Sequence, residues 1–181
     1  GEEKSKLTVE QLLYCDLVPS ANEACNILAE AVAGTTDAFV ERMNSKAEEL
    51  GMTGTHFSDP NGLGDENHYS TALDMAKLGR ACLENEIVAP ILATRSITLE
   101  GRSFTNHNKL LWMINGADGV KTGFTRAAGR VLVSSANRDG RRLVAVTIRD
   151  PNDWQDHQKL LEEGFRNYTQ RQVVSAGQQV G

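Results

Sequence analysis

Apolar residues in the first half of the chain recur at three- and four-residue spacing, the pattern of helices with one buried face. This pattern predicts four helices, at about residues 8–18, 22–34, 36–50 and 70–84. Thr8 and Gln11 have the spacing of a capping box, and Gly51 is placed to end the third helix. The stretch 53–69 is rich in Gly, Asn, Asp and Pro, which predicts a long ordered or functional loop.

After Pro90 the pattern changes to short β-prone runs. They predict strands at 94–99, 102–105, 119–122, 130–136 and 143–148, followed by an amphipathic helix at 154–165. The pair Asp139-Gly140 lies between the last two runs and favours a hairpin turn. The run 143–148 is apolar on both faces, so helices must cover both sides of the sheet. The sequence therefore predicts an α+β fold in which helices cover an antiparallel sheet.

Composition and charge narrow the classes of function. The 181 residues are 40% hydrophobic and include 16 glycines, as in an ordinary globular chain of one domain, or of one domain with a short appendage. The net charge of −5 disfavours binding to nucleic acids and to anionic membrane surfaces, because both attract cationic proteins. No run approaches the ~20 apolar residues that a membrane-spanning helix needs.

Cysteine and histidine spacing indicates neither a disulfide framework nor a metal site. Cys15, Cys25 and Cys82 are odd in number and form no Cys-x-x-Cys pair, so we expect buried or half-buried free thiols. The histidines lack metal-ligand spacing, and we expect structural or surface roles for all of them: His56, His68, His107 and His157. No cofactor is predicted.

The two ends of the chain have the character of parts of a longer protein. Residues 1–6 lack an initiator methionine and an apolar signal core, so we expect a processed or truncated start. Residues 171–181 have the pattern of a strand and a turn. We therefore predict a principal domain over residues 1–167, and a linker or the start of a C-terminal β domain over residues 168–181.

Two tripeptides match signatures of penicillin-binding serine enzymes: Ser20-Ala21-Asn22 and Lys121-Thr122-Gly123. At this composition Ser-x-Asn arises by chance roughly 0.7 times, and Ser135-Ala136-Asn137 is indeed a second copy. Lys-Thr-Gly arises by chance only roughly 0.04 times. The second tripeptide is therefore much the more informative match.

The positions of both tripeptides suit a substrate cleft. Residues 121–123 lie on a predicted strand whose backbone can pair with an extended substrate, and Gly123 lets that substrate approach closely. Ser20 lies in a break between two helices, where a hydroxyl can point into a cleft. Ser135 and Asn137 lie where a strand enters a hairpin, so we interpret them as turn residues without catalytic function.

From Leu7 to about Phe165, the chain resembles the D-alanyl-D-alanine carboxypeptidase family of low-molecular-weight penicillin-binding proteins. The agreement is ordered along the chain, at residues 7–14, 19–22, 43–47, 50–52, 55–57, 61–63, 69–74 and 118–125. The resemblance implies a β-lactamase/transpeptidase-like α+β fold, with a helical subdomain beside the helix-covered sheet. It also implies that residues 1–167 belong to the catalytic domain of a serine peptidase.

The activity implied by the resemblance is removal of the terminal D-alanine from peptidoglycan stem peptides that end in D-Ala-D-Ala. A serine attacks the penultimate D-alanine carbonyl, and water then hydrolyses the acyl-enzyme. β-Lactam antibiotics would acylate the same serine and be released slowly. The resemblance further implies an extracytoplasmic protein, secreted or associated with the cell envelope, and often a membrane-anchoring C-terminal helix, which would lie beyond Gly181.

The resemblance gives a role to each matching residue. Ser20 would relay a proton between the base and the leaving amine, and Asn22 would hydrogen-bond the substrate backbone. Lys121 would hold the hydrogen-bond network by its positive charge and attract the substrate carboxylate. Thr122 would donate its hydroxyl to that carboxylate.

The resemblance also extends beyond Gly123. Phe124 occupies the position whose backbone N–H forms half of the family's oxyanion hole, the other half coming from the nucleophile's own N–H. Several family members bind the terminal carboxylate with an arginine near the last strand. Arg130, Arg126 and Arg149 are candidates for that role, and we place Arg130 among the substrate-binding residues.

In the family the nucleophile lies in a Ser-x-x-Lys motif upstream of Ser-x-Asn, and the chain lacks this motif. None of its ten serines is followed three residues later by lysine. The resemblance therefore implies an N-terminal segment of the same protein that carries the nucleophile helix and the early strands. We expect that segment to pair beside the strand 143–148, which otherwise has an unpaired edge.

Two other functions remain open. A non-catalytic protein with the same cleft would bind peptidoglycan peptides through Asn22, Lys121 and Thr122 without cleaving them. A β-lactamase has similar motifs but needs a glutamate that activates the deacylating water. The matching loop, residues 53–63, contains no glutamate.

Overall fold

The computed structural model describes residues 6–171, 173 and 177 of the chain. Its helices are Val9–Leu17 (α1), Asn22–Ala33 (α2), Thr36–Glu49 (α3), Ala72–Glu84 (α4), Val88–Leu92 (α5), Leu110–Met113 (α6) and Asp153–Asn167 (α7). Its strands are Ser96–Leu99 (β1), Arg102–Thr105 (β2), Ala117–Thr125 (β3), Gly129–Arg138 (β4) and Arg141–Ile148 (β5). The predicted α+β class is confirmed. In the described part of the chain, no helix combines the length and apolarity needed to cross a bilayer.

The main sheet is antiparallel, with strands in the order β3-β4-β5. Successive β5 residues pack into different hydrophobic clusters, as the pleat of a strand requires. Ala145 belongs to the cluster that α6 and α7 form with one face, whereas Val144 and Val146 pack against the cluster that contains α4 and α5. Helices thus cover both faces of the sheet, as the apolar pattern of β5 predicts.

The β4–β5 hairpin has the turn that the sequence predicts. Arg138 pairs with Arg141, and the two residues between them, Asp139 and Gly140, have φ values of 52° and 77°. Positive φ at both central positions is the requirement of a type I′ turn, which glycine meets without steric cost. The turn fixes the register of β4 and therefore which of its side chains face α7.

The predicted ends of α1 are confirmed, and the helix packs on α2. The Gln11 N–H donates to the Thr8 hydroxyl at 3.1 Å, and the Thr8 N–H donates to the Gln11 side chain at 2.8 Å. Leu12, Ala24 and Leu28 form the buried contact between the two helices. The connection between α1 and α2 is therefore held between two fixed helix ends.

The loop 53–69 is ordered by side chains that bind its backbone. Asn44 of α3 donates to the Phe57 carbonyl at 2.9 Å and accepts the Phe57 N–H at 2.8 Å. Asp59 Oδ1 accepts the N–H groups of Asn61 and Gly62 at 2.9 and 2.6 Å. These bonds fix the turn that follows Asp59.

Two features of the fold differ from the predicted pattern. The sequence does not predict α5 and α6, because helices of five and four residues are too short to show a helical period. Pro90 lies in the first turn of α5, where an N–H has no partner within the helix. Strands β1 and β2 form a separate two-stranded sheet instead of joining the main one.

The predictions for the chain ends fall mostly outside the described residues. Residues 1–5, 172, 174–176 and 178–181 are not described. The processed start and the strand predicted at 171–181 therefore stay predictions.

Candidate active site

Ser20 lies in the short connection between α1 and α2. Its φ is 61°, a left-handed value that is uncommon for residues other than glycine. The connection is anchored twice: the Ala21 N–H donates to the Cys15 carbonyl at 3.0 Å, and the His107 N–H donates to the Val18 carbonyl at 3.4 Å. Strained backbone of this kind persists where the surroundings enforce it, and it is concentrated at functional sites.

Lys121 reaches Ser20 from the middle of β3. Its Nζ donates to the Ser20 Oγ at 2.7 Å and to the Thr122 carbonyl at 3.0 Å. Ser20 and Lys121 are 101 positions apart in the sequence. Folding therefore brings the two tripeptides singled out by the sequence into one hydrogen-bonded pair.

The Lys121 ammonium is partly buried beside an acidic residue of α1. Burial lowers the pKa of Lys121, and the negative charge of Asp16 opposes this shift. Burial likewise raises the pKa of Asp16, and the Lys121 charge opposes it. Burial, followed by the charges of Asp16 and Asp59, raises the pKa of Cys25 to about 12, so its thiol stays neutral at pH 7. Cys25 is therefore not a candidate nucleophile.

Ser20 and Lys121 lie in an open cleft with a volume of about 1270 Å³. The α1–α2 connection and the β3 strand line it, together with residues 60–63, residues 103–107 and the start of α7. The other predicted residues of the site, which are the catalytic Asn22 and the substrate-binding residues, all line this cleft: Asn22, Thr122, Gly123, Phe124 and Arg130. Since β3 is an edge strand, an extended peptide can lie beside its backbone.

Gly123 is not required by the packing of the protein itself. A Cβ at this position would meet nothing nearer than the Val131 carbonyl oxygen at 3.9 Å. Its φ is not among the left-handed values of the chain. The missing side chain therefore leaves the β3 backbone open to a molecule in the cleft.

Of the three candidate arginines, Arg130 lines the cleft. Its Nε and Nη2 donate to Asp153 at 2.9 and 2.8 Å, and its Cζ lies 5.2 Å from the centre of the Trp154 ring. Arg149 donates instead to a backbone carbonyl of the β3–β4 turn. Arg126 is exposed on the same turn and does not line the cleft.

The second Ser-x-Asn copy lies within β4, outside the cleft lining. Ser135 is fully buried and donates to Asp118 Oδ1 at 2.5 Å. The prediction that Ser135 and Asn137 are turn residues is therefore wrong. Pairing with β5 continues as far as Arg138 and keeps both residues in the sheet.

His157 is a structural residue in the interface between α7 and the sheet. Its Nδ1 lies 2.5 Å from the Ser134 hydroxyl, and its Nε2 lies 3.0 Å from the Thr147 hydroxyl. Burial lowers the pKa of His157 to about 4, so the ring is neutral at pH 7. Among the described residues, no three His, Cys, Asp or Glu side chains converge as a metal site requires.

Four residues that line the cleft do not stand out in the sequence. Asp16 and Cys25 occupy ordinary helix positions and belong to no motif. Asp153 and Trp154 are the first residues of α7, where an acidic residue is common in any helix. No local signal marks these four, because their significance comes from neighbours that are distant in sequence.

Comparison with known proteins identifies the family. The sequence pattern of the D-alanyl-D-alanine carboxypeptidases matches residues 2–152. This chain belongs to the D-alanyl-D-alanine carboxypeptidase family. The resemblance carried by the ordered motifs is thereby confirmed.

Curated members of the carboxypeptidase family match nearly the whole chain. The D-alanyl-D-alanine carboxypeptidase DacD of Escherichia coli is 36% identical over 185 residues, which cover 99% of this chain and 48% of DacD. DacF of Bacillus subtilis is 33% identical over 188 residues, again 99% of this chain and 48% of the relative. The chain therefore spans about half the length of these relatives.

Solved structures share the fold. A D-alanyl-D-alanine carboxypeptidase from Mycobacterium tuberculosis superposes with a TM-score of 0.85 at 34% identity, over 97% of this chain and 71% of that one. A DD-transpeptidase from Streptomyces gives a TM-score of 0.85 at 29% identity, over 88% and 68% of the two chains. The predicted β-lactamase/transpeptidase-like fold is confirmed.

Proposed function

We propose that this chain supplies one side of the active site of a serine D-Ala-D-Ala carboxypeptidase, which removes the terminal D-alanine from peptidoglycan stem peptides. The observation that carries the proposal is the 2.7 Å hydrogen bond between Lys121 Nζ and Ser20 Oγ, beside the accessible edge of β3. The pair combines a fixed positive charge with a hydroxyl that both accepts and donates. That combination suits proton transfer to a leaving amine.

The direction of this hydrogen bond determines what Ser20 can do. Because Lys121 donates to Ser20 Oγ, the hydroxyl hydrogen is free for a second acceptor. During acylation that acceptor is the nitrogen of the departing D-alanine. Ser20 then regains a proton from the general base, while the Lys121 charge keeps the hydroxyl oriented.

The substrate would lie along β3 with its terminal carboxylate beside Thr122 and Arg130. Both residues can donate hydrogen bonds to a carboxylate, and the Arg130 bond would be charge-assisted. The Asn22 side chain would bond the peptide backbone from the opposite wall. The Phe124 N–H would contribute to the oxyanion hole.

The proposal needs a nucleophile that these 181 residues do not supply. No serine in the chain has a lysine three residues later, so the nucleophile and base would come from a Ser-x-x-Lys segment of the same protein. Among the described residues, β5 has one edge without a strand partner, and such a segment would complete the sheet there. Residues 1–167 would then form most of the catalytic domain, followed by a linker. The protein that contains both parts is called the complete enzyme below.

The expected response to β-lactams follows from the cleft lining. No described lining residue is a glutamate, and the loop 53–63 contains none. The described part of the cleft lining therefore lacks the group that activates the deacylating water in class A β-lactamases. We propose that β-lactams inhibit the complete enzyme as stable acyl-enzymes, and that it acts outside the cytoplasm, where peptidoglycan lies.

A non-catalytic peptide-binding protein is the second candidate, because the side chains that line the cleft could hold a peptide without cleaving it. It would hold the same peptides through Asn22, Lys121 and Thr122. Sequencing the gene around this chain separates the two functions. A gene without a Ser-x-x-Lys segment would support the binding function.

Labelling with a fluorescent penicillin, together with D-alanine release from a peptide ending in D-Ala-D-Ala, tests the proposal. We expect the complete enzyme to be labelled and to release D-alanine, and Lys121→Met to lose most of both activities. Lys159→Met is the matched control, because Lys159 lies on the exposed side of α7. An intact complete enzyme that is neither labelled nor active would contradict the carboxypeptidase function.

A further inference from the structure

Arg130 lines the cleft with part of its hydrogen-bonding capacity unused. Its Nε and Nη2 donate to the Asp153 carboxylate at 2.9 and 2.8 Å. Within residues 6–171, Nη1 donates to no protein acceptor. Both N–H groups of Nη1 are therefore available to a molecule in the cleft.

Asp153 and Trp154 fix the guanidinium from two directions. The Asp153 side chain is only 3% exposed, and it belongs to a helix whose Leu161 and Phe165 are buried against the sheet. The Trp154 ring centre lies 5.2 Å from the Arg130 Cζ, which is a cation–π distance. A free arginine loses much rotamer freedom when it binds a ligand, whereas this arginine is already ordered.

The strand register puts Arg130 close to Thr122. Phe124 pairs with Arg130, and Thr122 pairs with Leu132, so Thr122 and Arg130 are diagonal neighbours across β3 and β4. Diagonal neighbours on one face are about 7–8 Å apart, within reach of a long side chain. The Thr122 hydroxyl and the free Arg130 edge can therefore contact one small anion together.

We propose that Asp153 and Trp154 are positioning residues, which hold Arg130 so that its Nη1 edge and the Thr122 hydroxyl together bind the terminal carboxylate of the substrate. This inference rests on the proposed function, which supplies the carboxylate. The arrangement selects peptides that end at this position over peptides whose chain continues. It thus gives the cleft its preference for a carboxypeptidase substrate over an internal peptide bond.

The test compares a diacetylated tripeptide ending in D-Ala-D-Ala with its C-terminal amide. Binding of both to the complete enzyme, with the serine of its Ser-x-x-Lys segment replaced by alanine to prevent turnover, is measured by NMR titration in 0.5 M salt, which screens the bare charge of Arg130. The expected result is that wild type prefers the free acid and that Asp153→Asn reduces this preference about tenfold, with little change for the amide. Asn retains an oxygen at the start of α7, so the substitution is mild for the helix.

Glu162→Gln is the matched control. Glu162 pairs with Arg138 at the other end of β4, also from α7, but this pair does not line the cleft. The free-acid preference should be unchanged in Glu162→Gln. If Asp153→Asn does not fold, Trp154→Leu takes its place, since it removes the ring and keeps the ion pair; we expect about a threefold loss of preference.

Three outcomes would overturn the inference. They are a wild type that binds acid and amide equally, an Asp153→Asn variant that keeps or increases the preference, and an equal loss in Glu162→Gln. An increased preference would mean that Asp153 only neutralises Arg130 and does not position it. D-Alanine release by the complete enzyme is measured separately, so a failure of the proposed function is distinguishable from a failure of the positioning role.

Discussion

Each end of β4 carries an arginine that pairs with a carboxylate of α7 and lies near an aromatic ring of the same helix. At the far end, Arg138 donates to Glu162 and to the Asn115 carbonyl, and its Cζ lies 4.4 Å from the Phe165 ring centre. All three guanidinium nitrogens have partners there. At the cleft end, Arg130 leaves one nitrogen without a partner among the described residues.

The same arrangement of an arginine, a carboxylate and an aromatic ring can therefore serve two purposes. The far-end pair fastens helix to sheet, because its donors are used within the protein. The cleft-end pair keeps a donor beside an open groove, where we propose that it binds the substrate carboxylate. Both ion pairs are of the same type. They differ in the number of arginine N–H groups that stay free and in whether those groups face the cleft. Substitutions in the cleft and elsewhere test this division between a proposed function at the cleft end and stability in the rest of the domain.

The largest effect is expected for Ser20→Ala in the complete enzyme. Loss of the proton relay should lower kcat for D-alanine release by about 10²–10⁴-fold, which is roughly 3–5 kcal/mol of barrier. The unfolding midpoint should change little, because alanine at φ 61° is as strained as serine.

Ser20→Gly is the matched variant, since glycine adopts this φ without strain. It should be equally inactive but more stable than wild type by about 1 kcal/mol. Near-normal kcat in either variant would show that Ser20 is not a relay.

Between the two ends, His157 should make the stability of the domain depend on pH. Its pKa is about 4 in the folded state, below the ordinary 6.5, so the unfolded chain takes up a proton first as the pH falls. The contribution of neutral His157 to the free energy of unfolding is fully present above pH 6.5 and is lost progressively as the pH falls to about 4. The total loss is at most about 3 kcal/mol.

Urea denaturation at several pH values between 7 and 4 measures this loss. His157→Gln retains hydrogen-bonding groups but does not titrate, so its free energy of unfolding should fall less over the same range. Identical slopes for the variant and wild type would assign the pH dependence to other groups.

At the far end, Arg138→Met should cost about 1–2 kcal/mol of unfolding free energy, through the lost ion pair, the carbonyl bond and the contact with Phe165. The catalytic constants of the complete enzyme should stay within about twofold of wild type, because no substrate contact is removed. Denaturant unfolding and D-alanine release measure the two effects. A large loss of activity in a folded Arg138→Met protein would break the division between the two ends.

The smallest effect is expected for Gly123→Ala in the cleft. The added Cβ meets no protein atom nearer than 3.9 Å, so stability should stay within about 0.5 kcal/mol of wild type. kcat/KM should fall about three- to tenfold, because the methyl group occupies space beside the substrate backbone. Unchanged kcat/KM would mean that the substrate does not approach β3 at this position.

Much of the fold could be predicted because its signals are local. The capping box of Thr8 and Gln11, the Asp139-Gly140 turn and the two-faced apolar pattern of β5 all concern residues close in sequence. The helices α5 and α6 have no such signal, since they are too short to show a period. The separate β1–β2 sheet depends on strand pairing, which β-propensity does not specify.

The candidate site was predictable only where residue types form a rare motif. Lys121-Thr122-Gly123 is such a motif, and it indicated the cleft strand without any structure. Arg130 could be named from the sequence as a substrate-binding candidate beside Arg126 and Arg149, but its position in the cleft could not, because all three lie near the same strands. Asp153 stands out only because it accepts a hydrogen bond from Arg130, which is 23 positions away in the sequence. No rule of sequence spacing predicts that contact.

The sequence by itself determined the family, the α+β class, most element positions and the two tripeptides, because each depends on local pattern or on the ordered identity of residues. Only the tertiary structure decided that Lys121 bonds Ser20 across 101 positions, that Arg130 is the arginine in the cleft and that Asp153 holds it. These contacts depend on how helices pack on a sheet and on strand register. Such relations join distant residues, and they follow from burying the apolar faces of all elements together.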